Sequence, residues 1–237
     1  MDIKLIIYYL CIASGGLSAA VADYRLGRKK ELPKKTLKIF LLLALFFGFF
    51  GAWLMGQTQN FIMSLTGLPY SISRMRIFGG LLFTPVFLYF PVKYLAGDFR
   101  LISDIIAPGA FLILGCSKIG CMVFGCCYGI PFSHGVSTPF EEHLCFPVQA
   151  LESVLCFVLF AAVYYLFTTN RLKKGALYPL SLILYGTVRF LVEFLRYYPE
   201  AEKTYFFGIN FWQAVSVICI FTGIIWTAVT IKTKSRA

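Results

Sequence analysis

The chain has 237 residues; 59% are hydrophobic and only 14% are charged. A soluble domain of this length carries roughly 25% charged residues to cover its surface, so this composition excludes an ordinary soluble fold. The balance of 22 basic against 11 acidic residues gives a net charge of +11, and the placement of that charge argues against nucleic acid as its partner.

Apolar runs predict seven helices: 3–22, 37–56, 77–96, 101–126, 147–168, 176–197 and 209–231. Each is long enough to cross the hydrocarbon core, which takes about 20 residues. The runs are continuous rather than alternating, which favours helices over barrel strands. The expected fold class is therefore all-α: a polytopic integral membrane protein with seven transmembrane helices, forming a single transmembrane domain over residues 1–237.

The first run opens MDIKLIIYYLCIASGGLSAAVAD, which also resembles a signal peptide with Ala20-Val21-Ala22 as a cleavage site. Cleavage there would leave RLGRKK outside the membrane, against the charge rule, so a retained first helix is the favoured reading. Basic residues cluster after the first, third, fifth and seventh runs. They are Arg25, Arg28, Lys29, Lys30, Lys34, Lys35 and Lys38; Lys93 and Arg100; Arg171, Lys173 and Lys174; and Lys232, Lys234 and Arg236. Fifteen of the 22 basic residues thus sit in alternate connections. This pattern places the N-terminus outside and the C-terminus in the cytoplasm. It also assigns the basic stretch 25–38 to topology and anionic headgroups rather than nucleic acid.

The external connections, 57–76, 127–146 and 198–208, carry turn signals such as TGLPYS and PFSHGVSTP. They also carry interfacial aromatics: Tyr70, Phe132, Phe140, Phe146, Tyr197, Tyr198, Tyr205, Phe206 and Phe207. Any chemistry is expected on this side. His134 and His143 lie in one of these loops without metal-ligand spacing and read as solvated.

Ionisable residues inside membrane helices are costly, so each is a candidate site residue. In the fourth helix, Asp104 is expected at the inner interface. Further along, GCSKIGCMVFGCCYG (115–129) holds Cys116, Cys121, Cys126, Cys127 and Lys118. Lys118, one turn before Cys121, would favour its thiolate. The plainer reading has Cys121 packing as a small residue and Lys118 reaching outward, and spacing alone favours it. Five-residue steps rotate by about 140° on a helix, so Cys116, Cys121 and Cys126 cannot share a face. A metal would require the helix to break, which Gly115, Gly120, Gly125 and Gly129 would permit. On this spacing no metal and no cofactor are expected. A disulfide such as Cys127 with Cys145 is the other use open to these thiols. Cys11, Cys156 and Cys219 read as packing residues.

The fifth helix begins PVQALES, which puts Gln149 and Glu152 on one face, a weak signal that fits capping as well as function. The sixth holds YGTVRFLVEFLR (185–196). Tyr185, Arg189, Glu193 and Arg196 share one stripe, with Arg189 and Glu193 spaced as an ion pair. Two arginines and one glutamate leave positive charge facing inward, which suits an anionic, phosphate-bearing ligand. An internal ion pair that only fixes packing is the alternative.

These segments resemble the prolipoprotein diacylglyceryl transferase family. Its signature G-R-x-G-N-F-x-N-G-E-x-x-G aligns with SKIGCMVFGCCYG (117–129). IAPG (106–109) resembles the start of that helix, and PVQALES (147–153) the family's P-T-Q-L-Y-E. YGTVRFLVEFLRYYPE (185–200) resembles Y-G-x-x-R-F-x-x-E-x-x-R-x-P-D, FWQAVS (211–216) resembles G-Q-x-x-S, and FGGLL (78–82) resembles H-G-G-L. The likeness covers about 70–237 in order. The family's histidine is Phe78 here, its signature asparagines are Cys121 and Phe124, and its signature glutamate is Cys126.

The resemblance implies a seven-helix enzyme of the bacterial inner membrane. Such an enzyme moves a diacylglyceryl group from phosphatidylglycerol to the lipobox cysteine of a preprolipoprotein and releases glycerol phosphate. It implies Cys121, Cys126, Lys118, Glu193 and Tyr185 as catalytic candidates. It implies Arg189, Lys118, Arg196, Gln149, Glu152, Gly120 and Gly129 as substrate-binding candidates. The partners implied are an anionic phospholipid and a thiol acceptor. Two other readings stay open from the residues: a thiol redox or metal-binding membrane protein, and a non-catalytic phospholipid-binding accessory protein.

Overall fold

Among the described residues, seven α-helices form on the seven apolar runs: α1 (Ile3–Lys29), α2 (Lys34–Leu65), α3 (Ile77–Tyr94), α4 (Phe99–Phe124), α5 (Val148–Thr168), α6 (Leu177–Val192) and α7 (Phe211–Lys232). The computed structural model describes residues 3–65, 76–95, 97–139, 141–198, 205–206 and 209–232. TGLPYS with Tyr70, the last residue of the 77–96 run, Phe140, Phe207, Lys234 and Arg236 lie outside the described residues. Among the described residues, six helices are long and apolar enough to cross a membrane. The other, α3, has 18 residues, about 27 Å at the usual rise, near the lower limit for a span.

Several boundaries differ from expectation. Both α1 and α2 run past their apolar stretches, α1 through Arg25, Arg28 and Lys29 and α2 through Gln57, Thr58, Gln59 and Asn60 to Leu65. Polar side chains do not end a helix. The backbone does, and here the first break comes only at Glu31 (φ 60°), ahead of Leu32-Pro33. At the other extreme, α6 stops early. Its last turn tightens to a 3-10 turn at Glu193–Leu195, and Arg196 is extended (φ −84°, ψ 142°).

The expected turn-rich connection 127–146 contains a β-hairpin, β1 (Pro131–Thr138) antiparallel to β2 (Glu141–Cys145), with irregular register. A second short ribbon pairs β3 (Tyr205–Phe206) with β4 (Ile209–Asn210). The bundle is all-α as expected; the hairpins are additions at one end. Short runs flanked by Pro139 and Gly129 carry too little apolar periodicity to announce strands in advance.

α1 packs on the sequence-distant α4, whereas α2 with α3, α4 with α5 and α6 with α7 pack as chain neighbours, and α5 also touches α6. Lipid supplies no hydrophobic drive between helices, so close approach depends on small residues. At the α2–α3 crossing a Cβ on Gly51 would lie 2.6 Å from the Gly79 carbonyl oxygen, so only glycine fits.

Two buried carboxylates tie helices together. Asp23 on α1 accepts from the Gly109 N–H (3.1 Å), next to Pro108 in α4. Asp104, near the start of α4, is buried. It accepts from the backbone N–H groups of Gly175 (2.5 Å), Leu177 (3.0 Å) and Tyr178 (3.1 Å). No side chain of its own segment caps the start of α6, so α4 supplies the anion that these donors require. Asp104→Ala is expected to destabilise the protein by about 3 kcal/mol, the scale of lost bonds to a charged acceptor. Thermal unfolding in detergent measures it, and an unchanged midpoint would refute the capping role.

Candidate functional site

The C-terminal ends of α4 and α6 meet the N-terminal ends of α3, α5 and α7 at the hairpin end of the bundle. Here α4 terminates at Gly125, whose left-handed backbone (φ 88°) lets its N–H bond to the Cys121 carbonyl. The chain then doubles back, and Cys127 is also left-handed (φ 63°). Residues 128–130 are clamped on both sides. Gly129 N–H bonds to Phe146 O (3.0 Å), Ile130 N–H to Leu195 O (3.0 Å) and Phe146 N–H to Ile130 O (2.9 Å). Gly129 also forms a β-bridge with Arg196. This clamp brings the extended Arg196 back over the end of α4.

Glu152 is the hub of the site. It is 0% exposed, and its Oε2 receives three cations: Arg196 at 2.9 Å, Lys118 at 3.0 Å and Arg189 at 3.3 Å. Arg189 spans two carboxylates, because its second terminal nitrogen lies 2.7 Å from Glu193 Oε2. Arg196 Nε sits 3.7 Å from the same oxygen. Glu193 Oε1 accepts from the Tyr198 hydroxyl and from Asn210 Nδ2 (3.2 Å). Asn210 also caps α7 reciprocally with Gln213 (2.8 and 2.9 Å), a capping box that fixes where α7 begins. The centre therefore holds three cations and two carboxylates: Lys118, Arg189, Glu152 and Glu193 are buried, and the Arg196 side chain is 6% exposed. Burial on this scale is tolerated only when charges are paired.

The stripe expected on the sixth helix is present. Tyr185, Arg189 and Glu193 all face inward, and Arg196 joins them from extended backbone rather than from the helix. Lys118 does not reach outward. It is 9% exposed and ends on Glu152, because a buried carboxylate attracts it more strongly than the distant interface. Glu152, weakly signalled by sequence, proves central. Phe78, at the family's histidine position, packs on Tyr185 (5.2 Å) and Trp212 (6.1 Å), with the Arg189 guanidinium 5.9 Å from its ring centre. An aromatic face thus borders the cations where a histidine would stand.

Gln149 donates from Nε2 to the Cys126 carbonyl (2.7 Å) and so fixes the cysteine turn. Gly120 faces Tyr8 and Cys11 of α1. Among the described residues, Gln149 Oε1 and Glu152 Oε1 are buried with no hydrogen-bond partner. Both are acceptors, so the site can take up further donors.

All eight cysteines are free thiols. The disulfide considered between Cys127 and Cys145 is not formed. Cys145 is buried near the His143 carbonyl (3.6 Å). Cys127 turns instead toward Cys121 and Cys126, and the three sulfurs lie within 4.8 Å of one another. Helical rotation separates Cys116 from Cys121, but the expected separation of Cys121 from Cys126 is overturned: α4 ends at Phe124, and the reversal at Gly125 brings both Cys126 and Cys127 back to Cys121. Hydrogen bonds from Cys121 and Cys126, aided by Arg196 and Lys118, hold the Cys127 thiol well below the usual thiol range despite its burial. Sequence reasoning missed Cys127, Tyr198 and Asn210 as members of the site. The N-x-x-Q pattern at 210–213 was a usable signal for Asn210.

Fold and site together define a polytopic helical membrane protein with a buried, cation-rich polar centre at one end. The family model for prolipoprotein diacylglyceryl transferase matches residues 1–229. The chain belongs to that family. It is 26% identical over 234 residues to the phosphatidylglycerol–prolipoprotein diacylglyceryl transferase of Clostridium tetani, covering 94% of this chain and 92% of the relative. It is 24% identical to the Streptococcus uberis enzyme of the same name, covering 96% and 91%. A third relative, transferase 2 of Clostridium perfringens, is 31% identical over 109 residues, covering 43% and 42%.

Proposed function

We propose that this chain is a phosphatidylglycerol–prolipoprotein diacylglyceryl transferase of the bacterial inner membrane, with seven spans, the N-terminus outside and the C-terminus in the cytoplasm. The observation that carries the reading is the Lys118–Arg189–Arg196 cluster around Glu152 in a chain of this family. The alternating basic connections support the orientation, which puts the site on the outer side.

In this reading Arg189, Arg196 and Lys118 bind the phosphodiester of the donor lipid. Glu152 and Glu193 hold them in place and leave one surplus positive charge to match one phosphate anion. The acceptor atoms Gln149 Oε1 and Glu152 Oε1 suit the hydroxyls of a glycerol headgroup. Gly129 holds Arg196 against the site, and Gly120 seats α1 beside it. The lipobox sulfur attacks the diacylglyceryl carbon bonded to phosphate. A carbon–sulfur bond forms and the carbon–oxygen bond to phosphate breaks. Glycerol phosphate leaves with the electron pair, stabilised by the same cations. The acceptor thiol's proton passes to the Cys121–Cys126–Cys127 cluster. Tyr185 supports Arg189 through Phe78, and Glu193 orients it.

Complementation of a bacterial strain lacking its own transferase tests the proposal. Growth with the wild-type gene and none with Arg189→Ala is expected, while failure of a well-expressed wild type would count against it. Cys126→Ser, assayed with purified protein, is expected to lower kcat about 10²-fold, the lower range for loss of a proton-transfer group, with KM for the lipid nearly unchanged. A variant with wild-type kcat would remove the thiols from the proton path.

A further inference from the structure

The thiol cluster has a second property that proton transfer does not require. Three sulfurs converge from two directions: Cys121 from the last turn of α4, and Cys126 and Cys127 from the reversed chain beyond Gly125. Two backbone reversals, at Gly125 and Cys127, produce that convergence. The Cys126 carbonyl is held by Gln149, and Thr138 Oγ1 bonds to the Gly125 carbonyl (2.9 Å), so the turn is fixed from the fifth helix and from the hairpin. Cys121 is buried, and Cys126 and Cys127 are partly buried.

We infer that Cys121, Cys126 and Cys127 form a binding site for a thiophilic divalent cation of the zinc class. Zinc bonds thiolate sulfur at about 2.3 Å, which sets tetrahedral sulfur–sulfur edges of about 3.8 Å. Sulfurs within 4.8 Å of one another reach that spacing by small side-chain rotations. Three protein ligands leave the fourth position for a water or another exogenous ligand. The charge also fits. A divalent cation with three thiolates carries one net negative charge, which offsets the surplus of Lys118, Arg189 and Arg196 over Glu152 and Glu193. Each thiol that ligates releases its proton to solvent. Cys116, one helical turn and more before Cys121, stays outside the cluster and does not contribute.

Binding rests on the three sulfurs alone. One consequence rests on the transferase reading: a loaded cation occupies the thiols that would accept the acceptor's proton and neutralises the charge that would hold the donor phosphate. Loading should therefore suppress turnover.

The test uses the purified full-length protein in detergent micelles. Equilibrium dialysis against Zn2+ should leave one ion per chain. Cobalt in its place should give a thiolate-to-metal charge-transfer absorption. Zinc should protect Cys121, Cys126 and Cys127 from alkylation, read by mass spectrometry of the wild type, so no variant need fold for the result to count. The C121S/C126S/C127S variant should lose ion and band, and C116S should keep both. Failure of the wild type to retain zinc, or protection that falls on other cysteines, would overturn the site. Zinc retained with those three thiols protected but turnover unaffected would leave the site standing and refute only its effect on the transferase.

Discussion

Replacing Glu152 by alanine is expected to destabilise the protein by about 3–5 kcal/mol, the cost of leaving buried charges without their counter-ion. Lys118, Arg189 and Arg196 all end on one oxygen of this residue. Of the three, Arg189 and Arg196 retain Glu193, whereas Lys118 has no other ion-pair partner among the described residues. Thermal unfolding in detergent should show a much lower midpoint, and transfer should be lost with it. Glu152→Gln keeps the shape but not the charge, and should fall between. Lys118→Met combined with Glu152→Gln restores the original net charge of the centre. That pair should recover part of the loss, so the two changes together cost less than their sum. Strict additivity would mean that the Lys118–Glu152 pair at 3.0 Å contributes nothing.

The second large effect is at Arg189. Its two terminal nitrogens reach different carboxylates, Glu152 on α5 and Glu193 beyond α6. A lysine is a point charge on a flexible stem and cannot hold both in one plane. Arg189→Lys is expected to cost about 1.5–3 kcal/mol in kcat/KM, or roughly 10- to 150-fold, on the scale of one lost charge-assisted bond. Arg189→Ala should abolish measurable transfer and weaken phosphatidylglycerol binding. Lipid binding equal to wild type in Arg189→Ala would remove this arginine from the headgroup site.

The bundle was legible because transmembrane helices announce themselves by composition. All seven runs became helices, and the miscalculated ends fell where polar residues continue a helix (Gln57 to Asn60) or where a 3-10 turn ends one (Glu193 to Leu195). The Tyr185–Arg189–Glu193 stripe was legible because helical periodicity fixes which side chains share a face. Glu152 was legible only as a candidate, since its place at the centre comes from three cations on two other segments, a long-range fact that no local pattern holds. Lys118 was misjudged for the same reason: snorkelling is the default only when no buried anion is nearer. The thiol cluster depended on a left-handed Cys127, and cysteine is not a residue that signals such a backbone. The family likeness placed Cys121 and Cys126 at signature positions, but only the reversal at Gly125 shows which third sulfur joins them.

Transfer of a diacylglyceryl group by this chain can be read in one assay. Purified protein is incubated with phosphatidylglycerol labelled in its acyl chains and a lipobox peptide with one cysteine. The expected product is a peptide heavier by one diacylglyceryl group, attached through a thioether, with one glycerol phosphate released per peptide modified. Folded protein that binds the lipid yet leaves the peptide unmodified and releases no glycerol phosphate would contradict it.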